Sequence, residues 1–390
     1  MATVKPHLVL FSGGTACRTI NIALAQQGYR LTRIVPAWDS GGSSKALRES
    51  FGMLPVGDIR QALMTMAHGE GRAGDVVRIC NARLSEEASA FDLHAELDFF
   101  VSGAHPLLQR MPPELGSAIV NYLALFRARM PGEFDLRNGS IGNFILTGAY
   151  FANGDNINRA IAVFKGLCGI AGNVWPASVQ DDIELAARLN NGKTLARQHL
   201  VTRLSSEDAA AGIAEITLRA TATRGAVEAN PGALEAIRSA DALIFGPGSF
   251  YTSILPHLLV DGALAAIGGN RHAMRIFIGN ILECAETRGA TLSALLDRFL
   301  GSMKAYPGID RPLTHVLSNR ELFPFDKAVG KFPYLKQGEL DEFCRQRRIE
   351  NISGVFEDAW TRGQHDGEAI SAALRSIMPR PDQAVAAECP

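Results

Sequence analysis

Four short strings carry the side chains and the backbone freedom that phosphate chemistry needs. The first, Ser12-Gly13-Gly14-Thr15, follows an apolar run and precedes a helical pattern. Small residues let main-chain amides approach an anion, and a helix N-terminus adds roughly half a positive charge, so phosphate is the natural guest. A tight turn that uses its glycines for geometry alone is the plain alternative. The second string, Asp39-Ser40-Gly41-Gly42-Ser43-Ser44, is followed by Lys45. Asp39 can bind a ribose hydroxyl or hold a divalent cation such as Mg2+, while Ser43 and Ser44 donate to phosphate oxygens; Asp39 or Ser43 can instead serve as a helix cap. The third, Pro55-Val56-Gly57-Asp58-Ile59-Arg60, places Asp58 at an N-cap worth about 1 kcal/mol, or facing the same cleft as a second acid. The fourth, Gly246-Pro247-Gly248-Ser249 running on to Ser253, repeats the cradle with Ser249, Thr252 and Ser253 as donors. Asn143, in Gly139-Ser140-Ile141-Gly142-Asn143, stands at a helix start where it orients a ligand or caps.

The elements that position these strings follow from hydrophobic rhythm. His7 to Phe11 reads as a strand, Ile20 to Leu24 as a helix ending at Gly28, and Leu31 to Val35 as a second strand. This βαβ beginning predicts a doubly wound, mostly parallel sheet, whose ligand crevice lies at the carboxyl ends of its strands, so the first two strings face each other. Helical spacing recurs from Asp58 to Met66, in a helical insertion at about 85–135, and in two tandem helices over 139–168, the second with Asp155 as a candidate N-cap. At about 172–224 the period falls to two, notably in Leu195 to Arg203 and Ala214 to Thr221, predicting an antiparallel β insertion. Asn230-Pro231 opens a helix, and strands follow at Ala242–Phe245 and Arg275–Ile278. Residues 1–320 form the main domain; 321–390 read as a partly helical C-terminal extension whose last dozen residues are expected to be disordered.

Composition narrows the function. In 390 residues, 39 Lys and Arg stand against 40 Asp and Glu, a net charge of -1, which excludes the basic field that gathers nucleic acid or anionic lipid. No apolar run reaches the roughly 18 residues of a membrane span. The 6 cysteines are scattered without a CxxC pair, fitting reduced thiols and a cytoplasmic location. The histidines lack metal spacing, and Asp181-Asp182 reads as a solvated turn. The glycine loop after the first strand is neither a GxGxxG fingerprint nor a Walker loop, and the chain has no GxSxG elbow.

Taken in order, these blocks resemble the 2-phospho-L-lactate transferase (CofD-like) superfamily, which includes the YvcK-like proteins named gluconeogenesis factors. The resemblance rests on Gly13-Gly14-Thr15, Asp39 to Ser44 with Leu47-Arg48, Pro55 to Arg60, Ile141-Gly142-Asn143, Val174 to Ser178, and Ala240 through Gly246-Pro247-Gly248-Ser249 to Pro256, over roughly 7–320. It implies a Rossmann-like core with a nucleotide in the cleft. One branch transfers a phospholactyl group from a guanosine-diphosphate-linked donor with magnesium; the other regulates and binds uridine-diphosphate sugars. Ala16, Ser40 and Lys45 depart from the family's usual glycine, aspartate and glycine, marking a divergent subgroup with one carboxylate fewer and one ammonium more. The expectation is a transferase acting on a nucleotide-diphosphate conjugate, with Asp39 and Asp58 catalytic and the glycine loops on the diphosphate. A non-catalytic sensor of a nucleotide-diphosphate sugar is the rival, and a homo-oligomer stays open.

Overall fold

The computed structural model describes residues 5–69, 74–304, 306–324 and 332–378. β1 (His7–Phe11) is buried along its whole length, as a mid-sheet parallel strand covered on both faces must be. Its side chains alternate between two cores: Leu8 and Leu10 enter one, Val9 and Phe11 the other. α1 (Arg18–Gln26) returns the chain to β2 (Arg30–Val35), parallel to β1 with His7 opposite Arg30. A run of helices follows: α2 (Gly42–Phe51), α3 (Gly57–Gly69), α4 (Asp75–Asn81), α5 (Ala90–Val101), α6 (Pro106–Gln109), α7 (Pro113–Arg129), α8 (Ile141–Ala152) and α9 (Ile157–Cys168). Pro106 and Pro113 each open a helix, where a missing N–H costs nothing.

β3 (Asn173–Pro176) then joins the sheet beside β2. A separate antiparallel sheet is built from β4 (Ile183–Leu189), β5 (Thr194–Leu195) and β6 (Ile213–Ala220), with α10 (Gln198–Thr202) and α11 (Ser206–Ala211) between them. Parallel order resumes with α12 (Pro231–Arg238), β7 (Ala242–Phe245), α13 (Ala263–Gly269), β8 (Met274–Ile278), α14 (Leu292–Met303), β9 (His315–Asn319), α15 (Leu340–Arg347), β10 (Glu350–Gly354) and α16 (Gly367–Ile377). The main sheet has seven strands in the order β10-β9-β8-β7-β1-β2-β3. The chain leaves β1 for β2 on one side and later returns with β7 on the other, so the order reverses at the β1–β7 boundary. The crevice of an open α/β sheet lies at such a switch point, outside the carboxyl ends of its strands.

The structure revises several local expectations. Leu195 to Arg203 is not a strand: only Thr194–Leu195 pairs, and Gln198–Thr202 is helical. Docking overrides the period of two, since the His199 N–H donates to Ser40 Oγ (3.0 Å) across the cleft. The β insertion is narrower than 172–224, because β3 belongs to the main sheet. Asp155 has φ +56° and does not cap α9; Asn156 does, accepting the Arg159 N–H at 3.0 Å. The chain beyond 320 does not stand apart from the sheet: β10 extends it, and α16 packs on α1, where the Thr19 hydroxyl donates to the His365 carbonyl (2.7 Å). The tail expected to be disordered, 379–390, lies outside the described residues. Among the described residues, no helix is long and apolar enough to cross a membrane.

Candidate functional site

The loop after β1 is built on a buried arginine. Arg33, in β2 and fully buried, donates to Ser12 Oγ (2.8 Å), to the Gly13 carbonyl and to the Gly14 carbonyl (3.4 Å). Burial lowers its pKa while Asp58 works in the opposite sense, and a guanidinium remains charged at neutral pH. In a trans peptide the N–H points opposite to the C=O. With both carbonyls held on Arg33, the amides of Gly14 and Thr15 therefore face the other way. The Gly14 N–H meets Asp58 Oδ1 at 3.0 Å; Thr15 is exposed, and its N–H has no acceptor recorded among the described residues.

Asp39 and Asp58 come together on this wall. Asp39 Oδ1 accepts the Gly41 N–H at 3.0 Å, while its Oδ2 lies 3.6 Å from where a Cβ on Gly57, the neighbour of Asp58, would stand. Ser44 Oγ accepts the Gly57 N–H (3.2 Å), so α3 is capped from α2. Asp58 is thus not the N-cap that its position suggests; it sits inside α3 and turns its carboxylate to the glycine loop. Neither Asp39 nor Ser43 caps α2: its N-cap is Gly41, which makes no side-chain cap bond, and Gly42 and Ser43 form the first helical residues. Burial raises the pKa of Asp39, against the pull of the Gly41 amide, Ser44 and Arg48. Burial and the nearby charge of Asp39 push Asp58 up to about 7.

The loop after β7 closes the group from the other side of the switch point. Ser253 Oγ lies 3.1 Å, and Asp58 Oδ2 4.0 Å, from a Cβ position on Gly13. The Cys17 thiol donates to the Gly246 carbonyl (3.4 Å), and Ala16 Cβ lies 3.8 Å from a Cβ position on Gly248. Strings distant in sequence are therefore in contact. Their amides are not an open cradle, however: the Gly248 N–H donates to Asn280 (3.0 Å) and the Tyr251 N–H to Glu286 (3.0 Å). Buried donors must find acceptors, and side-chain carboxylates and an amide fill that role at Gly14, Gly41, Gly248 and Tyr251. Pro247 is buried, while Ser249 is half-buried and engaged through its carbonyl by the Ser253 N–H (2.8 Å).

The space for a ligand lies one loop away. A cavity of 260 Å³ between α2 and the small sheet is lined by Trp38, Ser40, Lys45, Arg48, Arg197 and Gln198, with Asp181, Asp182 and Glu184 opposite. Arg48 frames it, donating to the Asp39 carbonyl (2.9 Å) and the Ile183 carbonyl (2.9 Å). Lys45 is exposed at the rim, 4.0 Å from Glu49. Ser40 is held by His199 Nδ1 at 2.9 Å. Asn143 stands apart from this group: it is buried and accepts from Arg60 Nε (3.0 Å). Among the described residues, no three His, Cys, Asp or Glu side chains gather, so an all-protein metal cage is absent there. Two neighbouring carboxylates suit a cation that keeps waters and takes substrate phosphates as its other ligands.

Three of these contributors escaped the sequence. Arg33 lies within an apolar run, Glu286 in a turn without a motif, and His199 in a segment whose alternation suggested a strand. A charged residue inside an otherwise apolar run is the one signal by which the sequence could have pointed to Arg33.

The profile of the family described as 2-phospho-L-lactate transferase CofD matches residues 8–350. A putative gluconeogenesis factor of Nostoc sp. is 30% identical over 379 residues, covering 95% of this chain and 68% of that protein. The gluconeogenesis factor of Listeria innocua is 28% identical over 385 residues, covering 96% of each. The crystal structure of protein BH3568 from Bacillus halodurans has a TM-score of 0.68 and 24% identity, covering 95% of this chain and 100% of that one. This last likeness concerns the fold alone.

Proposed function

The chain belongs to the 2-phospho-L-lactate transferase CofD family, and on that premise we propose that it binds a nucleotide-diphosphate conjugate across the β1–β7 crevice and transfers its phospho-linked group to a small-molecule hydroxyl. The observation that carries this reading is the Asp39–Asp58 pair, two carboxylates held beside each other with Asp58 raised to about 7. Such a pair is costly until a cation arrives. Asp39 and Asp58 would hold Mg2+, which when bound neutralises charge on the diphosphate. Thr15 and Ser253 then face the phosphates, Arg33 fixes the loop that presents them, and the cavity framed by Arg48 and Arg197 takes the rest of the conjugate. Transfer forms a bond from the acceptor oxygen to the distal phosphorus, breaks the P–O–P bridge and releases the nucleoside monophosphate; the acceptor's proton passes to solvent. The protein's share is positioning and charge stabilisation.

A second reading, binding without turnover, is favoured by Ser40, which His199 holds where a second acid would strengthen a metal site, and by the relatives' names. A thermal-shift panel of guanosine, uridine and adenosine diphosphates and their conjugates, with and without Mg2+, tests both. At about 100 times Kd a true ligand adds about 2.7 kcal/mol, in a Mg2+-dependent manner that Asp39→Ala abolishes. Released nucleoside monophosphate supports transfer; tight binding without release supports the sensor. Stabilisation by none of the diphosphates ends both readings.

A further inference from the structure

Glu286 is buried on a short turn after β8, and two groups of the Phe250–Ile254 π-helical turn converge on it. The Tyr251 N–H donates to Oε2 at 3.0 Å and the Thr252 hydroxyl to Oε1 at 2.6 Å. The carboxylate therefore supplies the cap that no side chain at Ser249, the residue preceding the turn, provides. From the same turn Ser253 reaches Gly13, and the Thr252 carbonyl accepts the indole N–H of Trp38 at 2.8 Å. One buried acid thus lies behind a contact to the glycine loop and a contact to the residue preceding Asp39.

We propose that Glu286 is the positioning residue of the Ser249–Ser253 arm, and that the charge on its carboxylate sets how that arm meets Gly13 and Trp38. The ionised form accepts both donors, and the amide end of a helical turn favours the negative charge. The protonated form turns one oxygen into a donor, so the Thr252 bond must reverse, with the hydroxyl accepting, or be released. Burial pushes Glu286 up to about 7 against the pull of Thr252 and Tyr251, so the arm changes hold near neutrality. Of the groups on the elements packed around it, His257 lies edge-on to Trp38 and burial holds it down to about 3, so it stays neutral across this range, and the rest are committed elsewhere or exposed. His199 of α10 is bonded to Ser40 and Asp208 of α11 to Lys193 (2.7 Å), while Glu207 of α11 is exposed. Arg298 of α14 lies over the Tyr251 ring, and Cys284 on its own turn meets Thr287. The effect on a ligand rests on the proposed function; the movement of the arm does not.

Trp38 reports the arm without any ligand. In a Trp175→Phe, Trp360→Phe, Asp58→Asn background, which removes the other group near 7 on the same wall, Trp38 emission titrated from pH 5 to pH 9 shows one step near pH 7, absent when Glu286→Gln is added. Thr252→Val, which removes one donor to the ionised form and keeps the backbone carbonyl, moves the step to higher pH. A step that persists unchanged when Glu286→Gln is added, or no step in the background itself, overturns the proposal. With Mg2+ and guanosine or uridine diphosphate, apparent affinity falls about tenfold more from pH 8 to pH 6 in the wild type than in Glu286→Gln, as expected when only the ionised arm binds. Equal pH dependence in both proteins overturns the link to the ligand. If the Trp38 step depends on Glu286 and no diphosphate binds, the positioning role stands and the proposed function fails.

Discussion

Replacing Asp58 by asparagine should make the protein more stable at pH 8. The carboxyl rises from 3.8 to about 7 on folding, so between those values the folded chain binds more protons than the unfolded one. Stability carried by this group is then full below the unfolded value and is lost as pH rises through about 7. A tenfold change in ionisation is worth about 1.4 kcal/mol, so full expression of the rise approaches about 4 kcal/mol. Asp58 keeps some solvent contact and shares the effect with Asp39, which brings the expected gain of Asp58→Asn to about 2 kcal/mol at pH 8. Asparagine retains an oxygen for the Gly14 N–H, so the geometry of the loop is preserved. Urea unfolding of both proteins at pH 4.5, 6 and 8 measures the gap, which opens with rising pH and nearly closes at the acid end. The same variant loses Mg2+-dependent stabilisation by a nucleotide diphosphate, the usual sign of an acid kept for function. A variant no more stable than wild type at pH 8, or a gap independent of pH, refutes the assignment of Asp58 as a strained partner of Asp39.

Gly14→Ala puts a methyl 2.6 Å from Asp58 Oδ1 and 3.1 Å from Asp58 Cα; displacing α3 and losing the Gly14–Asp58 bond costs about 2–4 kcal/mol, read by urea unfolding. Gly367→Ala drives a Cβ into the Thr19 carbonyl and to 3.0 Å from the Ile20 nitrogen. It should lift α16 from α1, lower stability by about 1–3 kcal/mol, and speed hydrogen exchange in both helices; unchanged exchange would mean that α16 is not part of the sheet's cover. Arg33→Met removes the donors to Gly13 and Gly14, and amide exchange over 12–16 should rise more than in β2 itself.

What the sequence made legible is what repeats or alternates. Leu8 to Phe11 is a strand apolar at every position, Leu31 to Val35 is one that is apolar apart from Thr32 and Arg33, and Asn230-Pro231 opens α12 with Asn230 accepting the Gly232 N–H at 3.0 Å. Glycine strings identified the loops at the carboxyl ends of β1, β2 and β7 because a turn from strand to helix narrows the choice of residues. Alternation failed at Leu195 to Arg203, where five residues coil because Ser40 offers the acceptor for the His199 amide, and no local pattern records a partner 159 residues away. It failed again at the C-terminus, where β10 has the mixed exposure of an edge strand and carries no apolar run. The site hid for a related reason: the atoms that hold the glycine loops are single charges, Arg33, Asp58 and Glu286, each matched to a partner distant in sequence. A buried charge has no periodicity. Its only mark is a polar letter where burial is expected, and its meaning depends on which carbonyl or amide the fold brings to it. At Arg33 these are the carbonyls of Gly13 and Gly14, so the backbone freedom visible in the sequence is spent, once folded, in letting two carbonyls turn inward to a guanidinium and the Thr15 amide turn outward to the crevice.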